Sequence, residues 1–322
     1  MRLRIVILGA GALGSIIGAH LARAGEQVTL IARGQRAALL QKHGITVTGL
    51  ADFTVPVNVI TRPDEVKETD VLLVAVKAYD TESALSSVRH LEVNGVLSIQ
   101  NGVLKDEQLA QCFGGEKTIG AAAMLAGEIM PAGHIRFTRS EALYIGELPA
   151  GTSERVQSIA TVLERAGIRA VVSPHIQTVE WSKYVGFASL MAVAALTRLE
   201  TCKILKAPEL AHVLVILLRE MALLAEKLGV PLEDYGVLGA KTLTSVSVEE
   251  AKSIIRQRGE QMEAVGATGH KVSTLQDLER GRRTEVEEII GYAVRKGTTL
   301  GVRMPTVETC YRLLTGIDGY LR

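Results

Sequence analysis

The residues with chemistry most plainly written into their spacing are Gly9-Ala10-Gly11-Ala12-Leu13-Gly14, between the apolar run 3–8 and an Ala-rich periodic stretch that ends at Gly25. That order reads as strand, glycine turn, helix. Gly9 turns the chain tightly, Gly11 lets backbone approach a bound group with no Cβ in the way, and Gly14 packs the helix on the strand. The N–H groups of Ala12, Leu13 and Gly14 then lie at the positive end of the helix dipole, which suits a pyrophosphate. An ordinary glycine-rich turn has the same composition. The flanking strand and helix, with a second apolar strand over 28–32, favour a dinucleotide.

The end of that second strand separates the two nicotinamide dinucleotides. A site for NAD usually places Asp or Glu there, to accept the ribose 2′-hydroxyl. This chain reads Ala32-Arg33-Gly34-Gln35-Arg36, with no acid and two guanidinium groups able to take a 2′-phosphate through bidentate bonds. Arg33 is the stronger candidate, whereas Arg36 reads as readily as a solvated loop charge. NADPH is the expected cofactor.

Other candidates stand farther along. Lys77 and Asn101 follow the apolar runs 70–76 and 96–99, and ligands of open parallel sheets bind outside the carboxyl ends of such strands. Lys183, in Glu180-Trp181-Ser182-Lys183-Tyr184, carries an ammonium that can donate a proton at neutral pH. From spacing alone it is as simply a surface lysine whose stem covers Trp181. Ser273-Thr274-Leu275-Gln276 has the form of a capping box with Ser273 as N-cap, and a helix start of that kind also holds a carboxylate. Glu285, farther along the same expected helix, can orient a substrate hydroxyl, pair with Lys183, or simply face solvent.

These residues need two kinds of scaffold. Helices are expected over 35–43, 81–89 and 153–166, and strands over 45–47, 53–59, 70–76, 96–99 and 170–172. The segments 119–123, 134–137 and 142–145 suggest an antiparallel extension of the sheet. Beyond Pro174 only helices are expected, over 177–196, 208–228, 248–257, 275–300 and 306–315, with Gly229 and Gly301 as stops. The fold class is therefore α/β. A Rossmann-like dinucleotide-binding domain over 1–174 is followed by an all-helical C-terminal domain over 175–322.

A chain of 322 residues is too long for one ordinary core and, at 47% hydrophobic and 22% charged, has the composition of globular domains. Its formal net charge of +1 creates no global field to recruit nucleic acid or an acidic membrane. Cys112, Cys202 and Cys310 lie far apart without metal-ligand spacing, so no metal is expected and a reducing compartment fits. The glycine turn starts so early that no cleavable leader is expected. The longest apolar stretches, 187–196 and 213–218, fall short of the roughly 20 residues that span a bilayer. A cytoplasmic protein with a small-molecule substrate is expected, and a homodimer is left open.

Taken together, the motifs resemble the ketopantoate reductase (2-dehydropantoate 2-reductase) family. The resemblance is carried by Gly9 to Gly14, Val74-Ala75-Val76-Lys77, Gln100-Asn101-Gly102, Trp181-Ser182-Lys183, Ser273 to Asp277 and Thr284-Glu285, with Gly291 and Pro305 beyond, in family order along nearly the whole chain. It implies an NADPH-dependent reduction of a 2-keto acid, ketopantoate to (R)-pantoate in coenzyme A biosynthesis. Lys183 would be the proton donor and Glu285 its partner at the new hydroxyl. Asn101 would hold cofactor and substrate, Lys77 would lie beside it, and Ser273 would contact the substrate carboxylate. One departure stands out: where the family places asparagines one and two turns after the lysine, this chain has Phe187 and Met191. A bulkier or more apolar 2-keto acid is the alternative substrate. A non-catalytic NADP sensor is the alternative class, although it needs no proton donor.

Overall fold

The computed structural model describes residues 2–320. The chain divides into two compact units, one of residues 1–101 with 105–177 and the other of 102–104 with 178–322.

The first unit is a sheet with flanking helices. Its elements run β1 (Arg4–Leu8), α1 (Ala12–Arg23), β2 (Gln27–Ile31), α2 (Gly34–His43), β3 (Ile45–Gly49), β4 (Phe53–Val55), β5 (Asn58–Ile60), β6 (Glu68–Val74), α3 (Thr81–Val88), β7 (Glu92–Ser98), α4 (Leu104–Phe113), β8 (Thr118–Ile129), β9 (Ile135–Glu147), α5 (Glu154–Arg165) and β10 (Ala170–Val172). The sheet order is β4-β3-β9-β8-β7-β6-β1-β2-β5, with β10 on β9. β5, β2, β1, β6, β7 and β8 pair in parallel. The period of two divides the central strands between two cores: Ile5, Ile7, Val71 and Leu73 pack into one, Val6, Leu8, Leu72 and Val74 into the other. Apolar runs without alternation are the mark of strands covered on both faces.

Two expectations change here. The single segment 53–59 is two strands, because Pro56 carries no N–H to continue a ladder. Only Pro56 and Val57 separate β4 from β5, yet these strands lie at opposite ends of the sheet, so the sheet must curl until its edges approach. The three short segments after residue 118 are in fact two long strands. β8 and β9 form an antiparallel pair with register shifts between Ala123 and Leu125 and between Ala126 and Gly127. The turn that joins them closes through Gly133 N–H to Met130 O (2.8 Å), with Gly133 at φ +87°.

α1 packs inside this curl. His20, on its last turns, is buried with its ring T-shaped to those of Phe53 and Phe137, and its Nδ1 lies 2.9 Å from the Ala166 carbonyl at the end of α5. Burial holds its pKa below the ordinary histidine value.

Every regular element among the described residues of the second unit is a helix: α6 (Ile176–Thr197, counted from Thr178 within this unit), α7 (Thr201–Lys206), α8 (Pro208–Lys227), α9 (Ala240–Ser245), α10 (Val248–Ala264), α11 (Ser273–Glu279), a π-helical turn (Glu287–Gly291), α12 (Tyr292–Leu300) and α13 (Pro305–Gly319). α6 is apolar around most of its circumference and runs through the core, where Tyr184, Val185, Met191 and Ala195 are fully or almost fully buried. Among the described residues no helix is long and apolar enough to cross a membrane.

The long helix expected over 275–300 is broken. Gly281 takes φ +62°, and the N–H of Arg282 turns back to the Asp277 carbonyl (2.8 Å). Thr284 is held instead by Asp318 on α13, whose Oδ1 accepts from both its N–H and its hydroxyl at 2.8 Å. The chain restarts as the π-helical turn, a form often found at functional sites.

Candidate active site

Four consecutive parallel strands, β2, β1, β6 and β7, bring Arg33, the glycine turn, Lys77 and Asn101 to one edge of the first unit, just past their carboxyl ends. The chain leaves β1 in one direction toward β2 and returns on its other side as β6, which creates the crevice where such sheets bind ligands. Gly9 has φ +110°, and a Cβ there would lie 2.8 Å from the Val76 backbone nitrogen. A Cβ on Gly14 would lie 2.2 Å from the Gly9 carbonyl oxygen. Both glycines are therefore required by the protein's own packing. Gly11 is different, since a Cβ there would meet nothing closer than 3.6 Å. Among the described residues no side chain caps the first turn of α1. The first-turn N–H groups and the space beside Gly11 together fit a dinucleotide pyrophosphate.

Gln100, which the sequence offered only as part of a motif, organises this edge. Its Nε2 donates to the Val76 carbonyl (2.8 Å) and to Thr81 Oγ1 (2.7 Å), and its Oε1 accepts from Ser98 Oγ (2.8 Å). The loop bearing Lys77 is thereby fastened to the end of β7, next to Asn101. The signal for this was Ser98 and Gln100, two polar residues spaced by two at the end of an apolar strand.

The two arginines part company. Arg33 is the N-cap of α2 and is exposed, whereas Arg36 is half-buried and bonded to backbone, which overturns its reading as a solvated loop charge. Its Nε donates to the Ala10 carbonyl (3.1 Å), its Nη1 to the Gly133 carbonyl (2.5 Å) and its Nη2 to Ser15 Oγ (3.1 Å).

In the second unit Lys183 and Phe187 lie one turn apart on α6, and both are half-buried. Trp181 is buried, its ring T-shaped to that of Tyr184 at 5.5 Å. Met191 does not follow Phe187 into partial exposure. It is 0% exposed and belongs to the core. Tyr184, beside Lys183, donates its hydroxyl to the Ile289 carbonyl (2.7 Å), four residues after Glu285. That bond ties the turn bearing Lys183 to the segment bearing Glu285, which is 4% exposed.

Ser273 is not an N-cap. Val272 caps α11, Ser273 is its first helical residue, and Gln276 Nε2 donates to the Lys271 carbonyl (3.0 Å), so no capping box forms. Ser273 Oγ is instead buried with no hydrogen-bond partner among the described residues. Glu288 was not foreseen: Arg283 Nη2 reaches its Oε1 (3.3 Å), while its Oε2 is buried with no partner among the described residues. Burial, with the neighbouring charges of Glu285 and Glu287, raises its pKa above the usual carboxylate value.

The class of protein is thus a curled, mostly parallel Rossmann-like unit followed by a helical unit. A sequence profile of the ketopantoate reductase PanE/ApbA family matches residues 5–150, and one of the family's C-terminal part matches residues 175–318. The chain belongs to the ketopantoate reductase family, oxidoreductases that act between a keto acid and a hydroxy acid. It is 31% identical to 2-dehydropantoate 2-reductase of Archaeoglobus fulgidus over 319 residues, 99% of each chain. It is 28% identical to the solved PanE/ApbA family ketopantoate reductase of Ralstonia eutropha JMP134, with a TM-score of 0.83 over 98% of this chain and 99% of that one. The fold alone does not name the substrate. A D-mandelate dehydrogenase shares it at 19% identity and a TM-score of 0.83, covering 98% of this chain and 99% of that one.

Proposed function

We propose that the protein reduces a 2-keto acid to the 2-hydroxy acid with NADPH, and that ketopantoate, giving (R)-pantoate, is the first substrate to test. The reading rests above all on the Tyr184–Ile289 bond, because it couples the one candidate proton donor to the segment of the one candidate hydroxyl partner. Gly9, Gly11, Ala12, Leu13 and Gly14 would hold the pyrophosphate and Arg33 the 2′-phosphate, with Lys77 and Asn101 at the strand ends beside them. Bound there, reduced nicotinamide supplies hydride.

Lys183 holds at Nζ the proton that the substrate oxygen takes as negative charge grows on it. An ammonium beside growing charge stabilises the transition state more than the ground state. Glu285 accepts from the new hydroxyl and keeps the lysine oriented. The hydroxyl of Ser273 lacks a partner among the described residues and is a natural donor to the substrate carboxylate.

Phe187 supports a second reading, in which the substrate is a bulkier 2-keto acid, since a half-buried aromatic ring stands one turn from Lys183. A sensor that binds NADP without turnover has no use for Lys183 or Glu285. Steady-state NADPH oxidation with ketopantoate and a series of larger 2-keto acids tests the proposal. Turnover of any of them supports it, and cofactor binding without turnover of all of them favours the sensor.

A further inference from the structure

Arg36 lies three residues after Arg33 and carries the same charge, but its three nitrogens are engaged within the first unit. They meet three separate elements: the glycine turn at Ala10, helix α1 at Ser15, and the β8–β9 turn at Gly133. Ser15 is fully buried, and its hydroxyl donates to the same Ala10 carbonyl (3.2 Å), so two donors converge on the peptide between Gly9 and Gly11. A planar guanidinium can hold three such acceptors in one fixed fork, which an ammonium cannot. Burial also lowers its pKa, as befits a charge partly withdrawn from solvent.

On the cofactor reading above, we infer that Arg36 is a positioning residue of the phosphate loop, setting affinity for NADPH and NADH alike, and that discrimination between them falls to Arg33. Arg36 fixes the direction of the Ala10 peptide and hence the spacing between that peptide and the uncapped N–H groups of α1. Both dinucleotides present the same pyrophosphate to those groups. Only one presents a 2′-phosphate, and each nitrogen of Arg36 already donates to an acceptor of the protein, which commits the guanidinium to the loop.

The test measures dissociation constants of NADPH, NADH and adenosine 2′-phosphate for the unaltered full chain, Arg36→Met and Arg33→Ala, with thermal melting as a check on folding. Arg36→Met should weaken NADPH and NADH by the same factor, about tenfold or more, and leave adenosine 2′-phosphate unchanged. Arg33→Ala should weaken NADPH and adenosine 2′-phosphate together and so lower the NADPH to NADH preference. If Arg36→Met loses NADPH and adenosine 2′-phosphate but keeps NADH, Arg36 reads the 2′-phosphate and the inference is overturned. A lower melting temperature with all three affinities unchanged also overturns it, since the residue would then only hold the fold. Should Arg36→Met not fold, Arg36→Lys answers the same question: a compact ammonium keeps the charge but not the planar fork that reaches all three acceptors, and the parallel loss should persist at smaller size. An unaltered protein that binds neither dinucleotide would remove the cofactor reading itself, a result distinct from either failure.

Discussion

Gln100 Nε2 donates to the Val76 carbonyl at 2.8 Å, joining the ends of two adjacent parallel strands immediately before Lys77 and Asn101. Replacing this side chain by leucine would leave the Val76 carbonyl, Thr81 and Ser98 with an unmet bond each. Gln100→Leu should therefore cost about 1–3 kcal/mol of stability and weaken cofactor binding, as read by urea unfolding and dinucleotide titration. Unchanged affinity would mean that Lys77 and Asn101 are held in place by other groups.

Phe187 and Met191 separate on one helix. Met191 is in the core, so Met191→Asn should destabilise by at least about 2 kcal/mol, through lost packing and a buried amide without partners. Phe187 is half-buried, and Phe187→Asn should act on substrate choice instead. The ratio of kcat/KM for ketopantoate to that for a bulkier 2-keto acid should rise about tenfold. A fall in that ratio would show that the ring favours ketopantoate.

How much was legible follows from the range of the interactions. The glycine turn, the apolar strands and the helices of the second unit are set by neighbours in sequence, and the chain displays them directly. The break before Glu285 depends on Thr284 meeting Asp318, 34 residues away, while apolar residues at Leu278, Val286 and Ile289 keep the helical period running across it. Gly281 was the only local sign. The engagement of Arg36 needs Gly133, 97 residues on. Met191 misled for another reason: on a helix apolar around most of its circumference, spacing from Lys183 does not say which faces are covered.

His20 gives the first unit a dependence on pH. Its folded pKa is lowered by burial, so the unfolded chain binds the proton more readily. Stability is complete above the unfolded value of about 6.5 and is lost as pH falls from there through the folded value, by at most about 1.4 kcal/mol per pH unit. His20→Gln keeps a donor for the Ala166 carbonyl and should flatten the slope of unfolding free energy between about pH 5 and 7. An unaltered slope would place the acid sensitivity in another group.

The most direct measurement is single-turnover and steady-state reduction by Lys183→Ala, made alongside a titration of NADPH binding. If Lys183 is the proton donor, kcat should fall by roughly 10² to 10⁴ while NADPH binds as before and the melting temperature holds. A Lys183→Ala protein that reduces its 2-keto acid at the unaltered rate would contradict the assignment of proton transfer to this residue.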